Sequence, residues 1–166
     1  SQVNALQNLA RATVWGAQAA AVLPLQRWWI LRLNANYTWG RETDDAIGSD
    51  KQVPLRHAPP FFGNLAIQYT RSALTLEANL VYNSSISAQN LAPSEQAKTD
   101  IYATDRNGNP FSPEWYTINL KGSYRVTPVL VLSLGWENMT NQRYRPYSSG
   151  IVAAGSNLVA SLRATF

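Results

Sequence analysis

The side chains able to do chemistry are few, and their types narrow the function at once. The 166 residues hold one histidine and no cysteine. Disulfides, thiolate metal sites and multi-histidine metal sites are therefore excluded within the chain. No Gly-rich phosphate loop, G-x-S-x-G or H-E-x-x-H motif occurs. A Ser–His–Asp set would have to be built on His57. The residues point away from an enzyme, and no cofactor is called for. His57 lies in Arg56-His57-Ala58-Pro59-Pro60. It reads as a solvated loop residue or as a single axial ligand of the kind that holds haem iron. Asp105-Arg106-Asn107-Gly108-Asn109 shares a few oxygen donors with a calcium loop but lacks the closing Glu. Asn-Gly reads more simply as a turn former with positive φ.

What remains is binding chemistry. The segment 85–113 carries Glu95, Lys98, Asp100, Tyr102, Asp105 and Arg106, and the segment 138–152 carries Arg143, Tyr144, Arg145 and Tyr147. Of these, Lys98, Tyr102, Arg106, Arg143, Tyr144 and Arg145, with His57, are the candidates for holding a small-molecule ligand or a surface partner. Long loops on a rigid scaffold are where such contacts usually sit.

Composition limits the scaffold. Hydrophobic residues make up 45% of the chain and charged residues 14%, against about 25% charged in an average soluble domain. The polar load falls on Asn, Gln, Ser, Thr and Tyr. Low charge with many aromatic residues disfavours disorder. No stretch approaches the roughly 20 apolar residues of a spanning helix. The net charge of +4 is scattered, with no basic run, so no nucleic acid is expected as a partner. The chain opens at Ser1, without an initiator Met or an apolar signal core. The expectation is either a mature N-terminus or an internal or C-terminal section of a longer protein.

The elements that position the loops are strands. Trp115 to Val126 alternates without a break: Tyr116, Ile118, Leu120, Tyr124 and Val126 oppose Thr117, Asn119, Lys121, Ser123 and Arg125. Side chains alternate between the faces of a strand, so one face is apolar and the other polar. The same period of two runs through Trp29–Trp39, Gly63–Tyr69, Leu74–Asn83, Leu130–Glu137 and Asn157–Phe166. A weaker first strand is expected over Leu9–Val22, where alanines leave the facing ambiguous and a short helix stays open. Seven strands of about 10 to 14 residues exceed the usual soluble length of roughly 5 to 6. They match the 9 to 11 or so of a tilted membrane-spanning strand.

Tight turns are expected at Pro24–Arg27, Thr70–Ala73 and Val126–Val129. Long loops are expected near 41–60, 85–113 and 138–152. Short turns on one side and long loops on the other mark a transmembrane antiparallel β-barrel of the bacterial outer membrane. Aromatic residues gather at strand ends, as two interfacial girdles require. The polar face, with Arg32, Glu77, Lys121, Arg125, Glu137 and Arg163, then faces the lumen, because a charge against lipid costs about 2–4 kcal/mol at mid-depth. Its excess of cations suits anionic ligands or acidic groups of something inside. Arg143 and Arg145 could equally meet lipopolysaccharide phosphates. Bacterial single-chain barrels have even strand numbers, so seven strands are an arc of a larger barrel.

The tail Leu134-Gly135-Trp136-Glu137-Asn138-Met139-Thr140-Asn141-Gln142-Arg143-Tyr144-Arg145-Pro146-Tyr147, closing on Phe166, resembles the C-terminal end of TonB-dependent outer-membrane receptors. Pro59-Pro60-Phe61-Phe62-Gly63 is similar to the family's Pro-Pro-x-x-Gly. Asn107-Gly108-Asn109-Pro110 followed by Trp115-Tyr116-Thr117-Ile118-Asn119-Leu120 is similar to a Bacteroidetes-type subset. The resemblance implies that residues 1–166 are the C-terminal segment of a 22-stranded barrel whose plug domain lies upstream and is absent from this chain. It implies energy-coupled uptake of a scarce nutrient such as an iron chelate, haem or cobalamin. The implied partners are outer-membrane lipid, the remaining barrel strands and plug, TonB through that plug, and the assembly machinery, which reads Phe166 as a signal. A passive porin-like channel wall and a soluble β-sandwich binding module are the alternatives.

Overall fold

A computed structural model describes residues 11–44 and 50–166. Ten strands form: β1 (Ala12–Gln26), β2 (Trp29–Thr43), β3 (Gln52–Pro54), β4 (Phe62–Arg71), β5 (Leu74–Asn83), β6 (Ala103–Thr104), β7 (Pro110–Phe111), β8 (Trp115–Thr127), β9 (Leu130–Glu137) and β10 (Asn157–Ala164). Seven of them make one antiparallel sheet in the order β1-β2-β4-β5-β8-β9-β10, with β3 paired to the far end of β2. The alternating sequences thus form the expected strands, each beside its neighbour in the chain.

The first strand is a strand and not a helix. Residues 9 and 10 of the expected range lie outside those described, and the strand continues past Val22 to Gln26. Pro24 therefore sits in the strand and not in a turn. It pairs with Ile30 at an irregularity on β1, whose other edge has no partner among the described residues, where a missing N–H is tolerated. The turn is moved on to Arg27–Trp28. All three short connections are two residues long: Arg27–Trp28, Ser72–Ala73 and Pro128–Val129. The long connections lie at the opposite ends of the strands. Strand β2 runs to Thr43, into the expected loop 41–60, and the last long loop reaches Ser156. Residues 45–49 of the first loop lie outside those described.

Register settles the facing that alanines hid. Trp15 pairs with Trp39, Ala17 with Tyr37, Ala19 with Ala35 and Leu23 with Leu31. The odd positions of β1 therefore extend the apolar face. One hydrogen-bonded row of that face crosses every strand: Leu23, Leu31, Ile67, Ala78, Leu120, Trp136 and Leu158. These side chains have no core to enter, and Leu33, Leu65, Ile67, Leu76, Leu120 and Leu134 are all exposed. An apolar patch of this extent needs lipid or a partner against it. No helix among the described residues is long and apolar enough to cross a membrane; here the strands supply the apolar surface.

Among the described residues, the one cluster of buried apolar side chains lies in the long loops. Ile86, Leu91 and Tyr102 pack together, with Ile101 and Tyr147 against them.

Candidate functional site

Three long loops meet on a single carboxylate. A helical turn at Pro93–Gln96 opens with a proline, whose fixed φ suits a first helical position. It places Glu95 inward, fully buried. The Lys98 ammonium donates to Glu95 Oε1 at 2.6 Å, the Tyr102 hydroxyl donates to Oε2, and the Ser148 hydroxyl donates to Oε2 at 3.0 Å. His57 Nδ1 lies 3.1 Å from Ser148 Oγ and 3.9 Å from Glu95 Oε1. His57 and Ser148 both hold positive φ, at 58° and 57°. Such a conformation is uncommon outside glycine and asparagine, and it is held here by the contacts around it.

Burial alone would raise the Glu95 carboxyl, but the hydrogen bonds from Lys98, Tyr102 and Ser148 and the Lys98 charge hold it below its usual value. The neighbouring phenols move the other way. Burial, then the hydrogen bond to Glu95, raises Tyr102 far above its usual value. Tyr147 is pushed up to about 12, first by burial and then by the Glu95 charge. Both phenols therefore stay neutral beside an ionised acid, and Tyr102 donates to it.

Beside this junction the last long loop folds over the polar face of the sheet. Asn138 has φ 46°, a value its short amide tolerates. Its Nδ2 donates to the carbonyls of Gln142 and Ala154 at 2.9 and 3.0 Å, and its backbone N–H donates to Asn119 Oδ1 at 2.8 Å. Asn119 in turn donates to Asn79 at 3.1 Å. The Glu-Asn-x-Thr-Asn segment thus acts as a clamp that turns the chain inward. Tyr144 then stacks on Trp115, with ring centroids 4.0 Å apart and planes 22° apart. Trp115 therefore belongs to the polar face and not to an outer girdle, because it shares that face with Thr117 and Asn119. By the same register Phe62, opposite Asn83, also lies on the polar face.

The stack and the junction enclose a cleft of about 300 Å³, lined by Tyr102, Ser112, Trp115, Arg143, Tyr144 and Arg145 among others. Arg145 is anchored by Nη1 to the Asp100 carbonyl at 2.7 Å. Arg143 is exposed at the mouth. Stacked rings with two guanidinium groups suit a flat or anionic small molecule.

The candidate ligand residues thus fall into two adjoining groups. His57, Lys98 and Tyr102 gather round Glu95, and Arg143, Tyr144 and Arg145 line the cleft with Tyr102. Arg106 stands apart at the tip of the β6–β7 hairpin. There the Asp105 carboxylate accepts from the backbone N–H groups of Asn107 and Asn109, both at 2.8 Å, and Gly108 has φ 82°. Those bonds, that from Asn109 first, hold the Asp105 carboxyl low. No cluster of three or more His, Asp or Glu side chains able to hold a metal occurs among the described residues.

On the wall, Arg32 donates to Gln68 and lies 3.9 Å from Glu77. Glu77 is directly opposite Lys121, and Arg125 and Arg163 flank Val131 in another row. Lys121 and Glu137 border a common hollow of about 430 Å³ under Tyr144. All six charged residues assigned to the lumen share the polar face. Phe166, beyond the end of β10, is fully exposed. Two residues of the candidate site were not singled out from sequence. Glu95 looked like one loop charge among several, and the sole hint of its burial is the flanking Leu91-Ala92 with a lysine three residues on. Trp115 looked like a girdle residue because strand ends carry rings on both faces.

The sequence matches the family described as TonB dependent receptor-like, beta-barrel, over residues 1–139. Comparison with curated proteins gives no match. Among solved structures, the chain is similar to the copper transporter OprC, with TM-score 0.73 and 19% identity, over 93% of this chain and 23% of that one. A ferric enterobactin receptor mutant from Pseudomonas aeruginosa (PfeA), in complex with enterobactin, gives TM-score 0.67 and 18% identity over 93% and 23%. The siderophore receptor PiuA from Acinetobacter baumannii gives 0.61 and 17% over 93% and 22%. The chain spans less than a quarter of the length of each of these structures.

Proposed function

The chain belongs to the TonB-dependent receptor-like β-barrel family, and we propose on that footing that it is a wall segment of an outer-membrane receptor for energy-coupled uptake. The family is one of transport receptors and not an enzyme class. In this proposal residues 1–166 are the C-terminal part of the barrel, and the plug and TonB-binding segment lie in the rest of the receptor. The apolar face meets outer-membrane lipid, and the polar face meets the plug. The long loops face outside and receive a scarce nutrient such as an iron chelate, haem or cobalamin.

The observation that carries this reading is the one-sided construction. Three long loops are tied together at Glu95, and the last of them turns inward over the polar face. The cleft it encloses, with Trp115, Tyr144, Arg143 and Arg145, therefore stands where a ligand would pass from outside to the lumen. Binding there supplies specificity, and the polar face below offers hydrated contacts along the way.

The test uses the full-length receptor in cells starved in turn of iron, haem or cobalamin. Arg143→Ala with Arg145→Ala should weaken binding of the nutrient that the receptor takes up by about tenfold or more, from the loss of two charge-assisted contacts. Uptake should also stop when the proton-motive force is collapsed. Uptake that continues without it would favour a passive channel, and unchanged affinity in the double variant would remove the cleft from the pathway.

A further inference from the structure

At the opposite end of the wall, two cations share one indole. The Arg27 guanidinium lies 4.6 Å from the centroid of the Trp28 ring, and that of Arg71 lies 5.8 Å from the same centroid. Arg27 lies in the β1–β2 turn and Arg71 ends β4 before the β4–β5 turn, and a hydrogen bond from Thr70 N–H to the Trp28 carbonyl joins the two connections at 2.9 Å. Both arginines are exposed, and neither turn contains an Asp or Glu. Among the described residues no carboxylate forms an ion pair with either. Two like charges held on one ring repel each other, and an anion between them relieves that repulsion. Phosphate fits best, since its oxygens take the guanidinium fork two at a time.

The surface next to these turns shows which phosphate. By strand alternation Arg71 lies on the apolar face, two residues beyond Tyr69. Tyr69 packs on Trp29 with ring centroids 4.9 Å apart. From that pair a groove of about 700 Å³ runs into the apolar band, between Trp29, Ile67, Tyr69, Leu76, Leu120 and Leu134. Its floor is Gly122, which stands in one hydrogen-bonded row between Leu76 and Leu134. A Cβ at Gly122 would come within 3.2 Å of Leu76 Cδ2 and begin to fill the space. A cationic rim next in sequence to Trp29 and near Tyr69, which line the apolar groove, has the two-part shape of a lipid.

We propose that Arg27, Trp28 and Arg71 bind the phosphate of an anionic phospholipid in the inner leaflet, with an acyl chain of that lipid lying in the groove over Gly122. The proposal rests on the outer-membrane reading and on the short turns facing the periplasm. It does not depend on which nutrient is taken up. Each arginine near an anionic lipid surface contributes about fivefold in affinity, so the pair gives about thirtyfold.

The test titrates phosphatidylglycerol or phosphatidylcholine onto the delipidated full-length receptor in non-ionic detergent, with bound lipid counted by native mass spectrometry. The receptor should prefer phosphatidylglycerol. Arg27→Gln with Arg71→Gln should weaken phosphatidylglycerol about thirtyfold, and should weaken phosphatidylcholine, whose choline offsets the charge of its phosphate, much less. Gly122→Leu, which fills the groove, should weaken both lipids. Equal phosphatidylglycerol affinity in the wild type and the arginine variant overturns the proposal, as does an unchanged affinity in Gly122→Leu. If the arginine variant fails to fold, salt decides on the wild type: rising ionic strength must release phosphatidylglycerol more readily than phosphatidylcholine, and salt-insensitive phosphatidylglycerol binding overturns the proposal. A receptor that takes up its nutrient but shows no lipid preference refutes this inference alone. A receptor that holds the lipid yet takes up nothing refutes only the uptake reading.

Discussion

Replacing Glu95 by alanine should loosen the long loops without unfolding the wall. The carboxylate is fully buried and accepts from Tyr102, Ser148 and Lys98. Removing it leaves the buried Tyr102 hydroxyl without an acceptor, at about 1–3 kcal/mol, while Ser148 keeps His57 Nδ1 at 3.1 Å. Lys98 is partly exposed and can turn to water, so its share is small. A total of about 2 kcal/mol for the loop junction corresponds to roughly thirtyfold more frequent opening. Glu95→Gln keeps the shape and one acceptor and should cost about 1 kcal/mol. The assay is amide hydrogen exchange on the full-length receptor, read over 86–102 and 144–149. The strands serve as an internal control, because their ladder does not involve Glu95. Unchanged exchange at Leu91 and Tyr102 in Glu95→Ala would refute the idea that this carboxylate ties the loops. The same bond has a pH signature. The folded carboxyl is held below its ordinary value of 4.5, so its contribution is complete above that pH and is lost as pH falls further. At the other extreme, Tyr147 titrates at about 12 when packed and at 10.0 otherwise. Tying should therefore weaken as pH rises past 10.

Three further outcomes test other parts of the molecule. Leu132→Arg places a charge on the apolar face and should cost about 2–4 kcal/mol, whereas Ser133→Arg, on the polar face, should cost much less; urea titration of the full-length receptor in lipid vesicles compares them, and equal costs contradict the assigned faces. Deleting residues from Leu91 to Thr104 removes Glu95, Lys98 and Tyr102 together, and ligand affinity should fall while the barrel keeps its compact mobility on an unboiled gel. Deleting Phe166 or changing it to Asp should lower insertion of the full-length receptor and raise its degradation in the periplasm, measured by surface labelling against total protein. Normal display would leave the terminal ring as an interfacial anchor only.

The wall was legible because lipid and lumen impose a period of two on every strand. Leu120 and Lys121 declare their faces without any knowledge of neighbours. Where the residues are indifferent to solvent, the pattern falls silent. Ala17, Ala19, Ala20 and Ala21 fit either face, and only pairing with β2 resolves them. Turn signals misled at Pro24 because proline marks an unpaired strand edge as readily as a turn. The loops were legible in composition but not in contact. Glu95 meets Ser148 across 53 positions and His57 across 38, distances over which no local pattern operates. Asn138 shows the middle case: the motif that contains it was visible, but its role as an inward clamp on Asn119 was not.

The strictly sequential strand order sets a timetable for assembly. Each of the hairpins β1–β2, β4–β5 and β8–β9 closes over two residues, so each can form as a unit before its neighbours arrive. Joining β5 to β8 instead closes the 31 residues between Asn83 and Trp115. By loop-closure entropy that step costs about 2 kcal/mol more than closing a tight turn. The packed segment around Glu95 shortens the span that must be searched. The wall should then zip up hairpin by hairpin, with the slow step wherever a long loop must close. Variants that loosen the Glu95 junction would delay the docking of β8–β9 onto β5 while leaving the hairpins themselves on schedule.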